Sequence, residues 1–306
     1  MQIKDKYFKP KSILWFLIKS ATVLMAIMFI YRRVQEDGIE VESIVWPESS
    51  LFVLSIVLLL MLLNWTLEAL RWKLSLSVFE KVTLVESLQI VVSGLALNWV
   101  VPFTAGDAAY RLAWQKDKYS TTSAMFINRG FMILITTAYG LLSIHYYSKL
   151  ELQANVMLIS FLLVALLGAW GLHRYGQRFL GYFKQISGGT LLSIISISLL
   201  RYVVFVLQFY LLMSLFLPLA PSVQLLYGIG WIFFFKSAIP SMLGGLGVRE
   251  ASALVFFAET AQPELVLIPV FLIWVINTVI PSIAGLMMIW SRRFVPNSSF
   301  GLKLPQ

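Results

Sequence analysis

The sequence predicts an all-α polytopic membrane protein with about six full transmembrane helices and two re-entrant helical hairpins. Three observations support this fold class. Of the 306 residues, 59% are hydrophobic and 13% are charged, whereas soluble domains carry about 25% charged residues. The apolar segments reach 17–28 residues, which suits membrane helices and exceeds the strands of about 10 residues in a membrane barrel. Two further apolar segments are interrupted by proline and glycine.

Six apolar segments are long enough to cross the bilayer. The first segment follows a lysine-rich tail, a feature that it shares with signal peptides. However, it is longer than the apolar region of a signal peptide, and it ends at Arg32 and Arg33 without a small-residue cleavage site. We therefore interpret it as a retained helix. The six predicted spans are 13–31, 51–68, 123–146, 154–172, 190–217 and 264–290.

Two other apolar segments are broken into arms of roughly 8–17 residues. Crossing about 30 Å of hydrocarbon at about 1.5 Å per residue requires about 20 helical residues, so neither arm is long enough alone. The arms are Leu84–Val101 with Ala108–Trp114, and Gln224–Ile239 with Ala251–Ala258.

The distribution of lysine and arginine predicts that both broken segments turn back. Placing the Lys/Arg-rich loops in the cytoplasm puts loops 69–83 and 116–122 on the inner side. The uncharged loop 218–223 and the acidic loop 259–263 then lie on the outer side. Each broken segment therefore returns to the face from which it started, and both chain termini are cytoplasmic. The alternative is eight ordinary transmembrane helices, some of them short and broken by proline.

The predicted elements form one integral membrane domain, residues 1–306, with an inverted repeat. Each half consists of two spans, a hairpin and a third span, covering about 13–146 and 154–290. Because three crossings separate the two copies, the second copy starts from the opposite side of the membrane. This plan is associated with transporters, in which broken segments meet near the membrane midplane.

The two hairpin tips have similar sequences, WVVPFTAGDAAYR (Trp99–Arg111) and SAIPSMLGGLGVRE (Ser237–Glu250). In each, a proline ends an apolar helix, glycine permits close backbone approach, and a new helix starts beside an arginine and a carboxylate. Helix N-termini attract anions, so the tips predict an anion site. The candidate substrate-binding residues are Arg111, Arg249, Arg201, Arg129, Asp107, Glu250, Asn98, Gly106, Gly244, Gly245 and Gly247, with structural breaks at Pro102 and Pro240.

Other polar residues occur within or beside the spans. Arg201 lies about twelve residues into a 28-residue span, too deep to reach the interface easily, which favours a cavity role. For Glu68 and Arg71, three residues apart, we favour a simple interfacial helix pair. An alternative for Arg249 and Glu250 is a helix start with the acid near the positive dipole end. Lys236, Asn98, Asn128, Gln208 and Asn277 are further candidates to line the same interior.

Composition disfavours several other classes of function. The chain has no cysteine and two histidines, each at the end of an apolar span, which disfavours thiolate metal sites, disulfides and Ser-His-Asp catalysis. We therefore expect no catalytic residues, no metal and no cofactor. The net charge of +9 comes from basic residues scattered around the spans, so we expect a bilayer as the partner and no nucleic acid.

The stretch IPSMLGGLGVREAS resembles the P-x-x-x-G-G-[LI]-G-x-R-E signature of the lysylphosphatidylglycerol synthase transmembrane region, also called the flippase-like family. NWVVPFTAGDAAYR resembles that family's first-half element, with Asp107 where glutamate is commoner. The resemblance implies a bacterial inner-membrane module related to the lipid-translocating half of multiple peptide resistance factors. Because the chain ends at Gln306, we expect the soluble aminoacyl-transfer domain of those proteins to be absent.

These features lead to the hypothesis of a flippase-like transporter for an anionic phospholipid or polyprenyl-linked lipid. The four candidate arginines would neutralise the phosphate, and the two candidate carboxylates would hold them when the site is empty. No ATP-binding motif is present in the sequence, so transport would be passive or ion-coupled. Two rivals are a membrane partner of a lipid or glycan synthase, and an intramembrane enzyme that modifies a lipid headgroup. A homo-oligomer is also compatible with the sequence.

Overall fold

The computed structural model describes residues 46–99, 105–115, 117–147, 185–218, 220–239 and 245–291, together with Leu24, Met28, Tyr31 and Arg32. All the secondary-structure elements in these ranges are helices. Several predicted features lie wholly or almost wholly outside the described residues: the spans 13–31 and 154–172, and Pro102, Pro240 and Gly244.

Nine α-helices and one π-helical segment make up the described part of the chain, and the helices are named α1 to α9 in chain order. They are α1 Ser50–Leu76, α2 Leu84–Leu97, α3 Gly106–Trp114, α4 Lys118–Tyr147, α5 Gly188–Phe216, α6 Ser222–Ala238, α7 Val248–Phe256, α8 Pro263–Trp274, the π segment Val275–Val279 and α9 Ile280–Trp290.

Four described helices are long and apolar enough to cross a membrane. They are α1, α4, α5 and the continuous helix Pro263–Trp290, which α8, the π segment and α9 form together. These helices contain four of the predicted spans, and they confirm the all-α membrane fold. Helix α1 continues past the predicted end at residue 68 to Leu76, so its charged residues lie inside a helix and not in the following loop.

The four remaining helices form two hairpins. Helices α2 and α3 have 14 and 9 residues, and α6 and α7 have 17 and 9 residues. At about 1.5 Å per residue, all four are shorter than the roughly 30 Å hydrocarbon layer. Helix α2 packs against α3, and α6 packs against α7. We call these pairs hairpin 1 and hairpin 2; the membrane side from which each enters stays a prediction.

Each hairpin packs against the last span of the other predicted half. Helix α4 packs against α6 of hairpin 2, and α9 packs against α2 of hairpin 1, while α1 packs against α5. Glycines allow these contacts: Gly140 on α4 faces the ring of Phe234 on α6, and Gly285 on α9 lies against the backbone carbonyl of Val92 on α2. Such reciprocal packing is expected of an inverted repeat, and the repeat itself stays a prediction.

Single-cysteine labelling tests the hairpin topology, because the chain has no cysteine of its own. Lys81→Cys and Lys118→Cys flank hairpin 1, and Ser222→Cys and Glu259→Cys flank hairpin 2; all four positions are exposed. We expect a membrane-impermeant maleimide to reach the first two from the cytoplasmic side and the last two from the opposite side. Labelling of Lys81→Cys and Lys118→Cys from different sides would instead support eight ordinary transmembrane helices.

The contact between α9 and α2 makes a second prediction. A Cβ atom at Gly285 would collide with the Val92 carbonyl and with Ala96, and backbone cannot rotate away as a side chain can. We expect Gly285→Ala to destabilise the folded protein by about 1–3 kcal/mol, measured as a lower midpoint of thermal unfolding in detergent. Gly130→Ala on α4 is the matched control, since nothing lies within 4 Å of its Cβ position. Equal midpoints for the two variants would contradict the close contact.

Candidate functional site

Glu68 on α1 is the centre of a buried ionic network. Its carboxylate accepts hydrogen bonds from Arg71 on the same helix and from Arg111 on α3, whose Nη2 lies 3.3 Å from Oε1. Arg201 on α5 places its Nη1 3.1 Å from Glu68 Oε2. Glu68 is only 6% exposed. One carboxylate therefore connects α1, hairpin 1 and α5.

The interpretation of Glu68 and Arg71 as a simple interfacial pair is wrong. Arg71 is 3% exposed, and its Nη1 also donates to the backbone oxygen of Asn128 and to Ser198 Oγ, each at 3.3 Å. The spacing of three residues correctly indicated the pair on α1. That spacing could not show that hairpin 1, α4 and α5 supply further partners for Glu68 and Arg71 and bury both side chains.

Asp107 makes the second carboxylate centre, at the start of α3. Its Oδ1 lies 2.7 Å from Arg111 Nε, and its Oδ2 lies 3.3 Å from Arg129 Nη2 on α4. The backbone N–H of Asp107 donates to Asn98 Oδ1 at 2.9 Å. Gly106 lies so close to the backbone of Leu97 that a Cβ atom would overlap it. Glycine at this position thus lets hairpin 1 close and brings Asp107 to the arginines.

Four guanidinium groups share the carboxylates of Glu68 and Asp107. We call these four arginines and two carboxylates the arginine cluster. Arg111 additionally lies over the Trp72 ring, 4.4 Å from its centroid, a favourable cation–π geometry. The side chain of Arg129 is 55% exposed and that of Arg201 18% exposed, so the cluster is accessible from their side. The members of the arginine cluster are Glu68, Arg71, Asp107, Arg111, Arg129 and Arg201.

Hairpin 2 presents a different ionic arrangement. Gly245 and Gly247 have φ angles of 91° and 85°, which favour glycine and turn the chain into α7. The carboxylate Oε2 of Glu250 accepts the Gly247 N–H at 2.6 Å, so Glu250 caps its own helix. The expected ion pair between Glu250 and Arg249 is not among the contacts of the described residues. Arg249 is 3% exposed, and its Nη2 has no hydrogen-bond partner in the described ranges.

Lys236 connects hairpin 2 electrostatically to the arginine cluster. Its side chain on α6 crosses Gly245, whose Cβ position would lie 2.6 Å from Lys236 Cγ. Its Nζ lies 5.9 Å from the centroid of the Phe205 ring, and Phe205 follows Arg201 by one turn of α5. The charges of Arg201 and Arg249 both act on Lys236. The cations of hairpin 2 therefore lie close to the Arg201 side of the cluster.

The predicted polar lining residues divide into two groups. Asn277, in the π segment, accepts from Asn64 Nδ2 at 3.3 Å, and Asn64 lies one turn before Glu68 on α1. Irregular π turns often occur at functional sites. Asn128 and Gln208 have structural partners instead: Asn128 Oδ1 accepts from Ser75 at 3.0 Å, and Gln208 Nε2 donates to the Val57 backbone oxygen at 2.9 Å.

Glu68, Arg71 and Asn64 lie at this site but were not among the predicted substrate-binding residues. The signal that could have identified Glu68 was the sequence after it: EALRWKLSL continues the helical pattern without proline or glycine as far as Leu76. A carboxylate within a continuous membrane helix is expected to face a polar interior.

A model of the family described as the lysylphosphatidylglycerol synthase TM region matches residues 16–285. The matched region includes both hairpins and the whole arginine cluster, in agreement with the resemblance of the two hairpin tips. Comparison with curated proteins gives no match, and comparison with solved structures gives none either.

Removing the Glu68 charge should strongly destabilise the protein. In Glu68→Gln three arginines lose their shared counter-ion, and breaking a buried ion pair in this way costs about 3–5 kcal/mol. We expect a clearly lower midpoint of thermal unfolding in detergent. Glu80→Gln in the loop after α1 is the control, because Glu80 forms no ion pair within the described residues. Comparable midpoints for the two variants would show that Glu68 does not hold the cluster together.

Proposed function

Because the chain belongs to the lysylphosphatidylglycerol synthase TM region family, we propose that it is a flippase-like transporter of the bacterial inner membrane. Its substrate is an anionic phospholipid or a polyprenyl-linked lipid. The family description supports a membrane-lipid function. The structural observation that carries the proposal is the arginine cluster, which gathers four guanidinium groups inside a membrane protein.

The energetic cost of this cluster favours a functional role. An arginine at the centre of a membrane helix costs about 2.5–3.5 kcal/mol on insertion scales and usually marks a substrate or ion pathway. Arg201 is the fourteenth residue of the 29-residue helix α5, so it lies near the middle of a span. The two carboxylates of the cluster balance only part of its positive charge. A phosphate headgroup would supply the remaining negative charge while its acyl chains stay in the bilayer.

Guanidinium side chains are the main anion ligands in this proposal. Some N–H groups at the helix starts are already occupied: the N–H of Asp107 donates to Asn98, and the N–H of Gly247 donates to Glu250. Phosphate oxygens would therefore approach arginine donors such as those of the partly exposed Arg201. Asp107 and Glu68 would keep the guanidinium groups in place when no lipid is bound.

We further propose that the lipid crosses without chemical change. Glu68 and Asp107 each pair with two or more arginines, so both carboxylates are already engaged by guanidinium groups. Glu250 is engaged in capping α7. Movement of the two predicted halves around the cluster would expose the headgroup to one side of the membrane and then to the other. Transport would be either passive or coupled to the movement of an ion.

Arginine substitutions test the proposal in reconstituted vesicles. We expect Arg111→Ala and Arg249→Ala to reduce translocation of a fluorescent anionic phospholipid at least about tenfold. The first variant removes the arginine that Glu68 and Asp107 share, and the second removes a buried donor without a partner among the described residues, each charged hydrogen bond being worth about 1.5–3 kcal/mol. Arg111→Lys keeps the charge and should retain part of the activity. Lys81→Ala, an exposed loop position, is the control. Undiminished translocation by folded, correctly inserted Arg111→Ala and Arg249→Ala proteins would remove both residues from the mechanism.

A further inference from the structure

We infer that the site selects a lipid phosphomonoester over a lipid phosphodiester, and that Arg249 and Lys236 of hairpin 2, together with Arg201, receive its terminal phosphate. This inference rests on the proposed lipid transport and specifies the headgroup chemistry and the place where it binds. It follows from the balance of charges in the membrane interior and from the difference between the two hairpins.

Among the described residues, the interior carries more positive than negative charge. Setting aside the half-exposed Arg129, five cations of the arginine cluster and hairpin 2 face three carboxylates in the described structure. Solvation does not offset this excess as it would at the surface, because Arg71, Arg111 and Arg249 are all buried. The cations are Arg71, Arg111, Arg201, Lys236 and Arg249, and the carboxylates are Glu68, Asp107 and Glu250.

Hairpin 1 has little capacity left for a ligand. The Nε of Arg111 donates to Asp107 and its Nη2 donates to Glu68, while its guanidinium face covers Trp72. The backbone N–H of Asp107, the second residue of α3, already donates to Asn98. A phosphate at this tip would have to displace two carboxylates from one buried arginine. Hairpin 1 therefore supports the structure of the site and does not bind the phosphate itself.

Hairpin 2 has the unpartnered donors. Arg249 is buried, and its Nη2 has no hydrogen-bond partner among the described residues; the same is true of Arg201 Nε. Another donor of the same guanidinium group, Arg249 Nε, reaches the Gly245 carbonyl only at 3.5 Å. Lys236 forms no ion pair in the described part of the chain; Arg201 and Arg249 repel its ammonium group, and Glu250 attracts it. A dianion placed among these three cations would remove that repulsion and satisfy the free donors.

The number of charges decides between headgroup classes. A phosphomonoester carries about −1.5 to −2 charges near pH 7 and offers three strong acceptor oxygens, whereas a phosphodiester carries one negative charge on two free oxygens. The excess of positive charge is compensated more fully by the monoester than by the diester. Guanidinium groups also bind phosphate oxygens in a fork geometry that the terminal phosphate presents without obstruction.

Binding of two lipids with identical acyl chains tests the inference. Phosphatidic acid is the phosphomonoester and phosphatidylglycerol is the phosphodiester, each titrated into the purified full chain at about pH 7.5, where the monoester is mostly dianionic. Native mass spectrometry measures occupancy and thermal unfolding measures stabilisation. We expect phosphatidic acid to bind at least about tenfold more tightly, as one additional charge-assisted hydrogen bond provides. Equal affinity would overturn the inference.

Variants locate the headgroup. Arg249→Gln and Lys236→Gln should each reduce the preference for phosphatidic acid about tenfold or more, whereas Arg249→Lys should keep most of it. Lys81→Gln, which removes one positive charge in an exposed loop, should leave the preference unchanged. If Arg249→Gln does not fold, Lys236→Gln and Arg249→Lys still decide the outcome. An unchanged preference in folded Lys236→Gln would overturn the placement at hairpin 2.

Two further measurements separate the possible sources of failure. Glycerol 3-phosphate and inorganic phosphate should not stabilise the protein at concentrations where phosphatidic acid does; equal stabilisation would assign the site to a soluble phosphate and overturn the lipid assignment. Equal translocation of phosphatidic acid and phosphatidylglycerol in vesicles would overturn the selectivity while leaving the proposed transport intact. Selective binding without translocation of either lipid would overturn the proposed transport while leaving the selectivity intact.

Discussion

The attraction between Glu68 and three guanidinium groups is the interaction on which the interior of this protein depends. Moving one ion from water into the interior costs several kcal/mol, and only well-placed partners offset that cost. Arg71, Arg111 and Arg201 come from three different helices and share this carboxylate. Their positions are therefore linked, and α1, hairpin 1 and α5 must pack so that the charges meet.

Hairpin 1 depends on this interaction because its helices are too short to span the hydrocarbon layer. Gly106 lets the two arms approach, Asn98 accepts the Asp107 N–H near the start of α3, and Arg111 then reaches Glu68 and Asp107. Hairpin 2 closes by other means, with two glycines at positive φ and Glu250 bound to the Gly247 N–H. The two tips are alike in sequence yet differ in their ionic contacts: two carboxylates bind Arg111, whereas Arg249 Nη2 has no hydrogen-bond partner among the described residues.

Much of the fold follows from local properties of the chain. Apolar length predicts the spans at 51–68, 123–146, 190–217 and 264–290, since a membrane helix needs a fixed number of apolar residues. The short arms around residues 84–114 and 224–258, together with the lysine and arginine distribution in the flanking loops, predict the two hairpins. The end of α1 was predicted too early, since Glu68 and Arg71 lower the hydrophobicity of a segment that remains helical to Leu76.

The sequence by itself determined the membrane class, the hairpins, the family resemblance and the identity of the cationic residues. Only the tertiary structure decided which charges compensate one another. Glu68 and Arg201 are far apart in the chain, and their pairing arises from the packing of α1 against α5. Likewise, the sequence left two roles open for Glu250, holding an arginine or lying at a helix start, and the structure directs its carboxylate to the Gly247 N–H at the start of α7. Hydrophobic length and backbone restriction act locally, whereas the energy of a buried charge depends on every helix that surrounds it.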